Sequence, residues 1–398
     1  MGRSHPLNNT LGFALILITG YFGAKIMRRI HFPAVTTYLL VGILIGPRIL
    51  DLIPGRIITL SDFVSNFVLG IIAFALGANF SLKNIKESGR SVFWISALEA
   101  CGAWIAVTTV LIVYAVLKHA PIHPSFVLGA AAAATAPAAT VMVIREYRAK
   151  GPVTEMLLRV VAIDDAWCLI LSAFGIMLAS AIASGAVNLS IIVKSIAHVL
   201  FSIVLGGVMG AGLHYFSRFI KNNEELLIVA HGFILLLVGS SIKLHLSPLL
   251  TCMASGIVIA NISRRSTLYF ESLRKLDTAL FLGFFILVGA NLEISLIPQV
   301  GIIGVLYIIS RVIGKFVGVA LGARISRADP RIGKYLGWGL VPQAGVALGV
   351  ALSAKALYPV YGTMIFTTIT ATTVVYELIG PLSTKYGLKK AGEIVSVG

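Results

Sequence analysis

The sequence predicts an all-α polytopic membrane protein of about thirteen helices, built as inverted repeats around two crossed broken helices. Three observations carry this reading. Of 398 residues, 58% are hydrophobic and only 12% charged, where a soluble domain carries about a quarter charged. Mean hydropathy is +0.94, and apolar runs of about 20 residues, enough to cross a 30 Å hydrocarbon core, recur from end to end. The basic residues alternate between rich and poor loops.

The spans read as 9–27, 34–50, 63–82, 92–117, 124–144, 155–182, 187–217, 224–242, 245–262, 275–292, 297–323, 335–355 and 359–382. The first lacks a small-residue cleavage site and reads as a retained helix rather than a signal peptide. With the N-terminus outside and the C-terminus cytoplasmic, 23 Lys and Arg fall in inside loops and 7 in outside loops. Arg311 and Lys315, within a span, complete the 32. This is the bias that sets orientation in a cell membrane. A missed or invented span would scramble it.

The formal charge of +16 therefore reflects topology; the basic residues form no aromatic-interleaved patch, and no nucleic-acid partner is expected. Cys101, Cys168 and Cys252 lie in apolar segments without metal-ligand spacing, so they read as packing residues. The eight histidines sit mostly at loops or span ends, with no HExxH motif and no i,i+4 ligand pair. Gly206 to Gly212 read as a close-packing helix face. Nothing points to an enzyme or a cofactor.

An internal repeat appears in the third and tenth spans, where Gly77-Ala78-Asn79 matches Gly289-Ala290-Asn291 at an offset of 212 residues. The same offset carries Glu99 onto Arg311 and nearly carries Asp164 onto Glu377. The copies lie an odd number of spans apart, so they cross the membrane in opposite directions, as in secondary transporters.

Two spans are interrupted. The fifth, GAAAATAPAATVMVI, holds Thr135, Pro137 and Thr140 at its centre, and the twelfth holds Pro342, Gln343 and Gly345. Proline removes a donor and clashes with the preceding turn. Irregular backbone at membrane depth survives only where buried or lining a cavity, so freed carbonyls and threonine hydroxyls become candidate ion ligands. One such span alone would read as a common proline kink; two in matching repeat positions predict a crossed pair.

Asp164 and Asp165 stand in the sixth span, VAIDDAWCLI. A carboxylate at a helix centre costs about 2.5–3.5 kcal/mol to insert. Adjacent residues point about 100° apart, so one can hold an ion while the other meets a different partner. Desolvation and mutual repulsion oppose ionising both, and a carboxylate there can bind a proton or a cation but not both. The bland alternative is a structural pair neutralised by basic residues. Arg311 and Lys315 share one face of the eleventh span. Lysine, which deprotonates more readily than arginine when buried, reads as the charge partner, and Arg311 as a fixed structural charge. Glu99, repeat mate of Arg311, is expected to form a structural ion pair with it. Glu377 reads as an acid nearer the cytoplasmic end that helps neutralise the cluster.

Together these residues resemble the cation/proton antiporter superfamily, specifically the paired-aspartate sodium/proton antiporters of its second branch. TAPAATVMVIREYRAKGPVTE followed by VAIDDAW looks like that family's broken helix, connector and aspartate helix, and SRVIGKFVGVALGAR like its lysine-bearing helix. The resemblance covers nearly the whole chain. It implies that Asp165 is the principal Na+ and H+ carrier, that Asp164 forms a switchable pair with Lys315, and that Thr135 and the broken-helix backbone complete the ion site.

It further implies electrogenic exchange by an elevator mechanism and a homodimer formed through the scaffold. The scaffold would comprise 1–91 and 224–292, the core 92–182 and 293–384, the linker 183–223, and a short cytoplasmic tail 385–398. Potassium-efflux relatives typically carry a cytosolic nucleotide-binding domain; none is expected here, since the sequence runs only 16 residues past the last span. Relatives often carry a charge after the second helix-breaking proline where this chain reads PQAG, which leaves Na+ against K+ open. A potassium/proton antiporter is the alternative, followed by a sodium-coupled symporter and an ion channel.

Overall fold

The computed structural model describes residues 7–30, 32–80, 82–184, 189–217, 222–263, 266–274, 277–343, 345–358 and 360–394. Arg3, His5, His31, Arg218, Lys221, Arg264, Arg265 and Lys275, which belong to the loop charges and histidines counted above, lie outside the described residues. The helices are α1 (Asn9–Arg28), α2 (Ala34–Ile45), α3 (Gly55–Thr59), α4 (Ser61–Gly77), α5 (Leu82–Leu117), α6 (His123–Ala132), α7 (Pro137–Glu146), α8 (Pro152–Ser184) and α9 (Ser190–Phe216). They continue with α10 (Asn223–Lys243), α11 (Pro248–Ile262), α12 (Ser266–Arg274), α13 (Asp277–Asn291), α14 (Gly301–Ser326), α15 (Pro330–Gly339), α16 (Val346–Leu357) and α17 (Gly362–Lys390).

Among the described residues, nine helical segments are long and apolar enough to cross a membrane, and four shorter apolar helices accompany them. Together they match the thirteen expected spans one for one. The second is shorter than expected, because Gly46 and Pro47 end α2 after Ile45. Large apolar side chains face outward along whole helices; on α9, Leu200, Phe201, Val204 and Val208 are each more than half exposed. Contiguous apolar faces of that extent need a lipid solvent.

The chain divides into two compact units, one of residues 1–81 and 202–292, the other of 82–201 and 293–398, with α9 running through the division. In the first, α2 packs on α13 and α4 on α11. Gly42 sits against the carbonyl of Ile286, and Gly289 against that of Leu39; Gly256 sits against the carbonyl of Phe74, and Gly77 against that of Met253. A Cβ at any of the four would collide with backbone. The offset of 212 carries Phe74 onto Ile286 and Gly77 onto Gly289, so the repeat seen as three letters is one helix contact built twice. Small residues are what permit this approach where lipid offers no hydrophobic drive between helices.

The second unit is organised by α5 and α14. Gly102 and Gly314, again 212 apart, lie face to face, and a Cβ on either would strike the carbonyl oxygen of the other. Two residues of one repeat pair can meet each other only near the axis that relates the repeats. Around this seam, Ala131 to Ala134, Tyr307, Val341, Ala347 and Tyr376 join a buried apolar cluster.

Beyond the last helix the chain folds back onto α8. The carboxylate of Glu393 accepts hydrogen bonds from the amide of Val153 at 2.7 Å, the amide of Thr154 at 2.6 Å and the hydroxyl of Thr154 at 2.6 Å. The Lys150 amide donates to the Glu393 carbonyl at 3.0 Å. These contacts satisfy orphan donors in the first turn of α8 and set a negative charge at the positive end of its dipole.

Candidate functional site

Both interruptions are real breaks. The helix of the fifth span stops at Ala132, runs without helical turns through Ala134 to Ala136, and restarts as α7 with Pro137 at its first position. Proline is favoured there, since its missing N–H would have been an orphan anyway, and it forces Ala136 into extended backbone. The second break follows Gly339 at the end of α15, and Gly345 enters α16 at φ +55°, a left-handed conformation that glycine adopts without a Cβ penalty.

The two breaks cross and bond each other. The Ala136 amide donates to the Pro342 carbonyl at 3.0 Å. The Thr140 hydroxyl donates to the Gly339 carbonyl at 2.9 Å. Gln343, fully buried, donates through Nε2 to the Ala131 carbonyl at 2.7 Å and to the Tyr307 hydroxyl at 2.9 Å.

Breaking two helices frees carbonyls that must find donors in a medium without water. Arg311 supplies them. Its Nε reaches the Ala132 carbonyl at 2.9 Å, Nη1 the Val341 carbonyl at 2.7 Å and Nη2 the Ala134 carbonyl at 2.6 Å, with Leu340 and Pro342 carbonyls each at 3.4 Å. The Tyr376 ring covers the guanidinium at 4.4 Å. Five donors in a rigid plane suit this task.

One turn further along α14, Lys315 organises the acids. Its ammonium donates to Glu99 at 2.6 Å, to the Ala133 carbonyl at 3.0 Å and to the Thr135 hydroxyl at 2.9 Å. Asp164 stands 3.7 Å from the same nitrogen. Lys315, Glu99, Asp164 and Thr135 are all essentially inaccessible.

The expected Glu99–Arg311 ion pair is thus corrected: Glu99 pairs with Lys315. The two repeat mates start from backbone on the pseudo-symmetry axis, but the guanidinium is drawn to the orphan carbonyls, and the residue one turn later reaches the carboxylate instead. Asp165 is 4% exposed and, unlike Asp164, has no basic group within ion-pair distance among the described residues. Next along α8, the Cys168 thiol lies 3.8 Å from the Ala130 carbonyl at the end of the first half-helix. Among the described residues, no cluster of three or more His, Cys, Asp or Glu side chains could hold a metal ion.

The structure adds Tyr307 and Tyr376, which the sequence reading passed over. Each places a phenol hydroxyl inside a membrane span, which was the available signal; Tyr307 bonds Gln343, and Tyr376 donates to the Ile308 carbonyl at 3.2 Å.

Crossed half-helices with buried acids and a buried lysine at their meeting point, in a repeat-built membrane fold, define a secondary transporter. The chain belongs to the family described as sodium/hydrogen exchanger, transmembrane, whose profile matches residues 13–390. It is 24% identical to the ammonium/H+ antiporter subunit AmhT of Alkalihalophilus pseudofirmus, over 95% of this chain and 94% of that one. It is 25% identical to the Na+/H+-K+ antiporter GerN of Bacillus cereus, over 94% of each. Its fold is similar to two structures of the sodium proton antiporter MjNhaP1 from Methanocaldococcus jannaschii. One, at pH 8, has a TM-score of 0.69 with 20% identity and 96% of both chains covered. The other, an electron-microscopy structure, has a TM-score of 0.77 with 18% identity, covering 98% of this chain and 99% of that one.

Proposed function

We propose that this protein exchanges Na+, or Li+, for H+ across the plasma membrane, with Asp165 as the carrier. Membership of the sodium/hydrogen exchanger family makes it a secondary active monovalent-cation/proton antiporter; the identity of the cation and the roles of residues are our reading. The observation that carries it is the contrast between two adjacent carboxylates. Asp164 stands 3.7 Å from the Lys315 ammonium, whereas Asp165 is buried with no basic neighbour at such a distance among the described residues.

A buried carboxylate without a basic partner must bind a proton or a cation to remain buried. When Na+ enters, the Asp165 O–H bond breaks, the proton leaves to water and the carboxylate takes the ion. Thr135 and the carbonyls of the first break supply neutral oxygens for a partly dehydrated ion. The paired-aspartate pattern of the second branch supports Asp164 as a second titrating group, exchanging its proton as its pairing with Lys315 is made and broken. More than one proton per sodium then makes the cycle electrogenic.

The transport motion is an elevator of the core (92–182, 293–384) against the scaffold (1–91, 224–292), in a homodimer joined through the scaffold. The apolar outward side of α1, with Ile18, Tyr21, Phe22 and Ile26 more than half exposed, supports its share in that dimer. In this reading the N-terminus lies outside and the C-terminus in the cytoplasm, an orientation that the loop charges support.

The test is cation-induced proton flux in proteoliposomes, wild type against Asp165→Asn, with Na+, Li+, K+ and ammonium. Na+ or Li+ should dissipate the gradient in wild type alone. Proton-coupled transport retained by Asp165→Asn would remove the site assignment. Flux with K+ alone would favour the potassium reading, which GerN's name motivates.

A further inference from the structure

The offset of 212 that relates the repeats carries Asp165 onto Glu377 with no slip, and Asp164 onto Tyr376. The surroundings correspond as well. Asp164 stands beside the Lys315–Glu99 pair, and Tyr376 stands over Arg311, the repeat mate of Glu99. Gly102 against Gly314 fixes the register at the axis between them. Glu377 therefore sits where the second repeat places its copy of the proposed carrier.

Glu377 is 3% exposed, and among the described residues it makes no hydrogen bond and no ion pair. The expectation that it helps neutralise a charge cluster does not describe it. α17 packs against α6, α7, α14, α15, α16 and the 3-10 segment Ile294–Val300; that segment carries no charge, and most of the charges on the helices are engaged elsewhere. Arg311 holds backbone carbonyls, Lys315 holds Glu99 and Arg331 pairs with Asp329. Lys334 lies over the Tyr335 ring and Lys355 over that of Phe366. Arg145 and Glu146 end α7, Arg324 ends α14 and His123 begins α6, and none pairs with Glu377. On α17 itself, Lys385 lies over the Tyr147 ring and Lys390 over that of Tyr386, while Lys389 falls in the last turn.

A second observation lies on the same helix face. Thr373 and Thr370 precede Glu377 by four and seven residues, and both hydroxyls are buried without a hydrogen-bond partner. Thr372 and Thr384, by contrast, turn their hydroxyls back onto their own helix at 2.8 and 3.0 Å. A stripe of unsatisfied hydroxyls leading to an unpaired carboxyl is costly in a membrane interior and suits proton passage.

We propose that Glu377 is a second proton-exchanging carboxyl, the repeat counterpart of Asp165, served by the hydroxyls of Thr373 and Thr370. In the conformation seen here it is protonated, since an unpaired buried carboxylate neutralises itself. When water reaches its side of the crossing, the Glu377 O–H bond breaks. The proton passes by way of Thr373 to water, and the electron pair stays on the carboxylate, now hydrated. This deepens the antiporter reading and rests on it for its role in coupling.

The experiment compares wild type, Glu377→Gln, Glu377→Asp and Asp165→Asn, using pH-difference infrared spectra of the intact protein and Na+-driven proton flux across a range of pH. Glu377→Gln should lose one pH-sensitive carboxylic C=O band that Glu377→Asp restores. It should keep exchange with a pH dependence shallower by about tenfold per pH unit, the weight of one proton. An unchanged band in Glu377→Gln overturns the proposal, whatever the flux. A lost band with an unmoved pH profile also overturns it, because the group would titrate without coupling. Asp165→Asn should stop flux and keep the Glu377 band, so an error in the carrier assignment shows as flux retained there and leaves the infrared result standing.

Discussion

Glu99 holds the Lys315 ammonium at 2.6 Å, while Asp164 waits at 3.7 Å from the same nitrogen. One fully buried cation thus faces two acids, and the nearer is not the one expected from the sequence. Lys315 has a standing partner in Glu99, so it can loosen its hold on Asp164 without becoming an isolated buried charge.

Lys315→Gln should therefore destabilise the protein by about 3–5 kcal/mol, the usual cost of removing one member of a buried pair. Glu99→Gln added to it should recover most of that loss. Thermal unfolding of both single variants and the double variant gives the coupling; strictly additive losses would contradict the pairing.

Gly314→Ala should cost about 1–3 kcal/mol through overpacking, since its Cβ would lie 2.8 Å from the Ala103 Cα and strike the Gly102 carbonyl. Gly349→Ala is the control, because nothing lies within 4 Å of a Cβ there. A melting temperature lowered in the first and held or raised in the second is the expected pair of results.

Glu393→Ala should cost about 1–2 kcal/mol, as the loss of a strong helix cap does. The amides of Val153 and Thr154, which it now occupies, should exchange with deuterium faster, while those in the middle of α8 should not. Equal protection in wild type and variant would show that the cap contributes nothing.

Arg311→Lys, conservative in charge, should fail. An ammonium has three donors and no plane with which to meet carbonyls from both breaks. Each carbonyl left unpaired in the interior costs about 1–3 kcal/mol. Loss of monodisperse protein on size exclusion is the expected readout; a stable, active variant would mean that water satisfies the breaks.

The breaks were legible in the sequence because proline acts locally: Pro137 and Pro342 each forbid a hydrogen bond within their own turn. The acids and bases were legible because charge inside hydrocarbon is rare enough to stand out. Pairings were not. Glu99 and Lys315 are 216 residues apart, and repeat arithmetic, which places backbones, says nothing about which way a long side chain turns. The same arithmetic did supply a register that packing then made concrete at Gly102 and Gly314. Glu393 was invisible for another reason: a lone acid in a polar tail looks like any other until the chain has folded back onto the start of α8.

The grip of Arg311 on both breaks has a consequence for anyone redesigning this protein's ion preference. Carbonyls from α6's end and from the 340–342 segment share one guanidinium, so the two loops have no separate adjustability. A substitution that widens one coordination arc will tilt the plane of the arginine and shift the other arc with it. Libraries that vary the residues around Thr135 and Gln343 jointly should find working variants that single-loop libraries miss.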